Sequence, residues 1–167
     1  MTHSPIYLAI DPGKDALGWA LGGGRLLLMC GMSRRPRDFA GGLGALAQLH
    51  AKNVRDGICQ ISPDVIVVEL MQSYAFGSQK GDQNDLLELC TIGAQAAGQW
   101  PGAEHRYVRP AEWKGQTPKE ISAARTEKEL SKRGCLETLN VARFPKTLRH
   151  NVYDAVGIWI YATKDLK

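Results

Sequence analysis

The stretch Ile6-Tyr7-Leu8-Ala9-Ile10-Asp11-Pro12-Gly13 decides the fold. An apolar run ends on a carboxylate and then on a Pro-Gly turn, the pattern of a buried strand whose last residue is an acid. The pattern returns at Val65-Ile66-Val67-Val68-Glu69. A third acid, Asp154, lies inside the helix-like stretch Val152-Tyr153-Asp154-Ala155-Val156-Gly157-Ile158-Trp159-Ile160. An acid in an apolar context costs free energy unless it is paired, protonated or bound to a cation. Three such acids point to one shared cation, and carboxylates with little thiol chemistry nearby favour Mg²⁺ or Mn²⁺ over zinc.

Around the first run, Ile6–Asp11, Ala16–Leu21 and Arg25–Met32 read as three strands joined by turns at Pro12-Gly13 and Gly22-Gly23-Gly24. Connections this short make antiparallel neighbours. Phe39, Leu43, Leu46, Ala47 and Leu49 then recur at helical spacing, predicting an amphipathic helix from Asp38 to about Asp56. Strand Val65–Leu70 follows, then a polar, glycine-bearing loop over Met71–Gln83. Asn84 or Asp85 caps the next helix, whose small residues suggest close packing on a sheet. A strand at about His105–Val108 and a loop over Lys114–Lys119 precede a Lys- and Arg-rich helix to about Arg133. The last helix runs from about Leu148 to Thr163. The order implies an α/β fold: a five-stranded mixed sheet with helices on both faces, in which a three-stranded antiparallel meander is extended by two parallel strands. With the first strand central and the fourth parallel beside it, Asp11 and Glu69 become neighbours, and a C-terminal helix crossing that edge supplies Asp154.

Residues 1–167 read as one domain. Hydrophobic residues make up 44% and charged residues 23%, which excludes a disordered chain. No apolar run approaches the ~20 residues that span a bilayer, and the N-terminus does not read as a signal peptide. Cys30, Cys59, Cys90 and Cys135 form no Cys-x-x-Cys pair and read as reduced packing residues. The net charge of +4 is unevenly placed: His105–His150 holds 11 Lys or Arg against 5 Asp or Glu. An acidic site beside a basic segment suits a polyanionic substrate handled with divalent metal, whereas the basic segment alone reads as a solvated helix face.

Ile10-Asp11-Pro12-Gly13 with Gly18-Trp19-Ala20, then Val67-Val68-Glu69, then His150-Asn151-Val152-Tyr153-Asp154-Ala155, resembles the RuvC-type Holliday junction resolvases of the ribonuclease H-like superfamily. The similarity spans nearly the whole chain in the right order. Trp113-Lys114-Gly115 followed by Pro118-Lys119 is similar to the phage-encoded branch. The resemblance implies a structure-selective DNA endonuclease that cuts four-way junctions by paired symmetric nicks, leaving 5′-phosphate ends. It implies two Mg²⁺ ions per site, with Mn²⁺ a substitute, Asp11 bridging both and Glu69 and Asp154 holding one each.

Family members carry an Asp or His three residues before the final acid, where this chain has Asn151. His150, four residues before, shares the helix face and is the better ligand or proton carrier. Lys114 and Lys119 resemble lysines that approach the scissile phosphate. Tyr74 and Phe76 follow the Glu69 strand, after which the family stacks an aromatic on bases near the branch point; here they lie further from the acid, and packing under the loop explains them equally. Trp19, Trp100 and Trp159 read as core or interface residues. The resemblance further implies a homodimer with its interface at the 84–97 helix, branched DNA as partner, no membrane and no nucleotide cofactor, and the cytoplasm of a bacterium or phage-infected host. Two other readings remain: a superfamily nuclease acting on forks, flaps or RNA, and a non-catalytic nucleic-acid-binding module or a relative of the actin-like kinases. The intact acids argue against lost catalysis, and a single domain argues against the kinases, which need two to enclose a nucleotide.

Overall fold

A computed structural model describes residues 4–59, 61–71, 83–115 and 117–166, without the side chains of residues 83, 119 and 120. The elements are β1 (Ile6–Asp11), β2 (Ala16–Gly23), β3 (Leu26–Arg34), α1 (Leu43–Gly57), β4 (Val65–Glu69), α2 (Gln83–Ala97), β5 (Glu104–Val108), α3 (Pro110–Trp113), α4 (Lys119–Lys132) and α5 (Arg149–Ala162). The sheet order is β3-β2-β1-β4-β5, with β1/β2 and β2/β3 antiparallel and β1/β4 and β4/β5 parallel. This is the mixed sheet expected from the sequence, with β1 at its centre.

Strand alternation sorts the core into two layers. Leu8, Ile10, Leu17, Trp19, Leu21, Ile66 and Val68 join Leu46 and Val54 of α1, Ile58 just after it, and Ile92 and Ala96 of α2 on one face. Tyr7, Ala9, Ala20, Val65 and Val67 join Val152, Val156 and Trp159 of α5 and Leu130 of α4 on the other. Asp11 has the parity of Tyr7 and Ala9, and Glu69 that of Val65 and Val67. Both acids therefore belong to the α5 face. Ile10 is level with Val68 across the parallel pair, so the next residue of each strand is an acid.

Gly18 lets α5 reach that edge. It lies opposite Asp11 in the sheet, and a Cβ there would overlap the backbone carbonyl of Asn151. Only a residue without a side chain permits this approach.

Several boundaries differ from expectation. The first helix begins at Leu43 rather than Asp38, after the extended Gly42. Gly41, Gly42 and Gly44 raise the cost of helix there, so Phe39 packs onto the core from non-helical chain. β2 runs on through Gly22 and Gly23, and the turn to β3 is Gly24-Arg25, with Gly24 at φ +55. α2 already includes Gln83, ahead of the expected caps. Cys59 is exposed, unlike the buried Cys30 and Cys135, so it is no packing residue. Trp19 and Trp159 are core residues, and Trp100 is half-buried against the α1/α2 layer. Tyr74 and Phe76 lie outside the described residues.

Candidate active site

Two strand ends and one helical turn converge at the C-terminal edge of β1 and β4. β1 delivers Asp11, β4 delivers Glu69 and the second turn of α5 delivers Asp154, at 6%, 5% and 7% exposure. Carboxylates this buried need compensation. Lys114 supplies it: its Nζ lies 3.1 Å from Asp154 Oδ2 and 3.5 Å from Glu69 Oε2. Burial works against the Lys114 ammonium, yet the Glu69, Asp154 and Asp11 carboxylates together hold its pKa above the ordinary lysine value. Burial likewise pushes the Glu69 carboxyl up, opposed by Lys114 and by a hydrogen bond from Trp113, and assisted by the charge of Asp154.

Trp113 joins the site without having been expected there from the sequence. Its Nε1–H donates to Glu69 Oε2 at 2.6 Å, and its ring lies under the Lys114 ammonium, 4.6 Å from ring centre to Nζ. The ring is seated on Gly157 of α5, where any Cβ would overlap it. The short helix α3 aims both side chains. Pro110 occupies its first position, and the Glu112 carboxylate accepts the Arg109 backbone N–H at 2.6 Å. Arg109-Pro110-Ala111-Glu112 is a readable helix start, proline first and an acid in the first turn. That signal would have predicted α3 in place of an uninterrupted approach to the loop.

Of the other expected site residues, His150 and Asn151 lie half-buried in the first turn of α5, one turn before Asp154. Lys119 opens α4. Lys14, in the turn behind Asp11, is held by Asp85 and Glu88 of α2 at 2.6 and 2.9 Å. His50 of α1 is wholly buried beneath the same turn. Its Nε2 meets the Lys14 carbonyl at 3.2 Å and its Nδ1 meets Ser33 Oγ at 2.7 Å. A carbonyl can only accept, so Nε2 carries the proton and Nδ1 accepts from the Ser33 hydroxyl. Asn53 completes the network by donating to Ser33 Oγ at 2.9 Å.

The donor set consists of hard carboxylate oxygens, the chemistry that suits Mg²⁺ or Mn²⁺. As packed, no three His, Cys, Asp or Glu groups among the described residues lie close enough to hold one ion. The Lys114 ammonium stands between Glu69 and Asp154 and compensates them.

The sheet order and the placing of the acids define a ribonuclease H-like α/β fold. Among solved structures the chain is similar to Thermus thermophilus RuvC in complex with a Holliday junction substrate, with TM-score 0.60, 14% identity and coverage of 93% of this chain and 91% of that one. It is similar also to the yeast mitochondrial Holliday junction resolvase Ydc2, with TM-score 0.61, 12% identity and coverage of 98% and 81%. Fowlpox virus resolvase, in complex with its substrate junction DNA, gives TM-score 0.53, 15% identity and coverage of 96% and 99%. The chain thus has the fold of the junction resolvases. No protein-family profile and no curated protein sequence matches it. No helix among the described residues is long and apolar enough to cross a membrane.

Proposed function

We propose that this chain, acting as one nuclease domain, is a metal-dependent endodeoxyribonuclease that resolves four-way DNA junctions by paired symmetric nicks. The observation that carries the reading is the convergence of Asp11, Glu69 and Asp154, all buried, at one sheet edge of a ribonuclease H-like fold. Asp11 would serve two Mg²⁺ ions, Glu69 one of them, and Asp154 with His150 the other. Bound there, the ions would supply an activated water and stabilisation of the leaving 3′-oxygen.

The chain's own groups have definable tasks. Trp113 fixes one oxygen of Glu69 and so restricts the rotamers of that carboxylate. The three acids, aligned by strand register and by Gly18, present their oxygens on the α5 face, toward which a phosphate must come. Lys114 must give up its contacts with Glu69 and Asp154 before those acids share a divalent ion. Its ammonium is then available to a phosphate oxygen, where a fixed cation opposes developing charge.

Two copies related by a two-fold axis would cut the two strands symmetrically, so a homodimer is part of the proposal. Light scattering should give twice the chain mass. Helix α2 is the surface to test, since it exposes 67% of Leu87.

The deciding experiment incubates labelled four-way junction, linear duplex and RNA with the protein in Mg²⁺. Paired, ligatable nicks confined to the junction, and abolished in Asp11→Asn, are the expected result. His150→Ala should cut far more slowly while binding the junction normally. Equal cutting of linear duplex or RNA would replace the junction reading with that of a less selective nuclease of the same fold.

A further inference from the structure

Beside the acids, a cleft of about 490 Å³ opens between α4 and α5, and Trp113 and Lys114 line it as well as the candidate active site. Its α4 wall carries Arg125, Lys128 and Lys132, at positions i, i+3 and i+7 and therefore in one stripe. Lys164, just past α5, faces them from the other wall. All four are exposed. Lys132 is paired with Glu129 at 3.2 Å, and Glu129 is further held by the buried Arg133 guanidinium at 3.1 Å. Among the described residues Arg125, Lys128 and Lys164 make no ion pair. Arg125 donates to Thr117 Oγ1 at 3.0 Å, and Lys164 lies over the Tyr161 ring.

Lysines on a convex helix face are ordinary solvated charge. Here the stripe lines a concavity that Trp113 and Lys114 also line, and Lys164 adds a fourth exposed cation to the same lining. A hollow lined mainly by one sign of charge concentrates its field and draws in an anion. The lining adds Thr117 and the buried Ser122 and Thr126, so its polar surface is hydroxyl rather than aromatic, the kind that meets phosphate oxygens and does not stack on bases. The one aromatic ring in it, Trp113, is engaged with Glu69 and Gly157.

We propose that this α4/α5 cleft seats the sugar-phosphate backbone of the DNA strand that leaves the active site, reading its charge and not its sequence. The inference rests on the nuclease reading and adds to it a second DNA-binding surface, adjoining the acids through Trp113 and Lys114.

The test uses the Asp11→Asn full-length protein, which binds without cutting, and a fluorescent four-way junction titrated at several salt concentrations. In that background Arg125→Gln/Lys128→Gln should lower the salt slope of log K by roughly 0.9 for each phosphate that is no longer neutralised, and weaken binding on the order of tenfold at moderate salt. Lys164→Gln, on the opposite wall, should lower the slope again. Junctions of different sequence should be affected equally. Lys52→Gln/Arg55→Gln makes the same charge change on α1, across the sheet, and should leave the slope alone. Tight parental binding with an unchanged slope in the cleft variants, or an equal drop in the α1 control, overturns the cleft. No junction binding by the parent overturns the nuclease reading and the cleft with it.

Discussion

Lys114 is the residue on which the electrostatics of the site turns. One ammonium, with 23% of its side chain exposed, stands against three buried carboxylates. Lys114→Met should therefore cost about 3 kcal/mol in metal-free urea melts, the scale for stripping one partner from a buried charge cluster. Mg²⁺ should restore part of the loss, and a melt identical to wild type would remove Lys114 from its compensating role. Trp113→Phe keeps a ring over Gly157 but deletes the N–H to Glu69, and should cost about 1.5–3 kcal/mol in the same measurement. At this scale the sequence was half readable. Asp11, Glu69 and Asp154 stood out because a charge inside an apolar run is an anomaly that needs a cause. Trp113 did not, since its partner is 44 residues away and such pairing leaves no trace in periodicity.

Each strand of the central pair turns a different kind of side chain to each helical layer. Leu8, Ile10, Leu17, Trp19 and Leu21 face α1 and α2, whereas Ala9, Gly18 and Ala20 face α5. Large residues hold α1 and α2 at a distance, and small ones draw α5 onto the sheet until Asp154 stands by the strand ends. Gly18→Ala should push α5 outward at Asn151, costing about 1–3 kcal/mol and slowing cleavage on the order of 100-fold through misplaced acids. Gly44→Ala, in open space on α1, is the matched control and should leave cleavage intact. Wild-type turnover in Gly18→Ala would show that the close approach is not needed. Strand type, sheet order and both layers were legible here, because strand alternation and short connections are local properties. The start of α1 was not: at Gly41 and Gly42 apolar spacing favoured a helix, while the cost of ordering glycine opposed one. The α4/α5 cleft was likewise invisible, since a Lys- and Arg-rich helix looks the same in sequence whether its stripe faces a hollow or open water.

Taken whole, the molecule is two apolar layers on one sheet, with a buried polar knot in the first of them at His50. Burial holds the His50 imidazole below its ordinary value of 6.5, while the Lys14 carbonyl and the charge of Asp15 pull the other way. The unfolded chain thus takes up a proton near pH 6.5 that the native form refuses. Stability from this group is complete above that pH and falls as the solution is acidified toward the lower native value, by at most about 1.4 kcal/mol per pH unit. His50→Gln should flatten the stability profile below pH 6.5, and parallel profiles would discount the knot as an acid-sensitive element. Lys114 has a broader consequence. Because the protein carries its own counter-charge among the acids, a newly made chain can reach native shape in metal-starved surroundings and, on the proposed metal-dependent reading, wait there inert. EDTA should silence such a protein without melting it, so that ion supply governs when it works and not whether it folds.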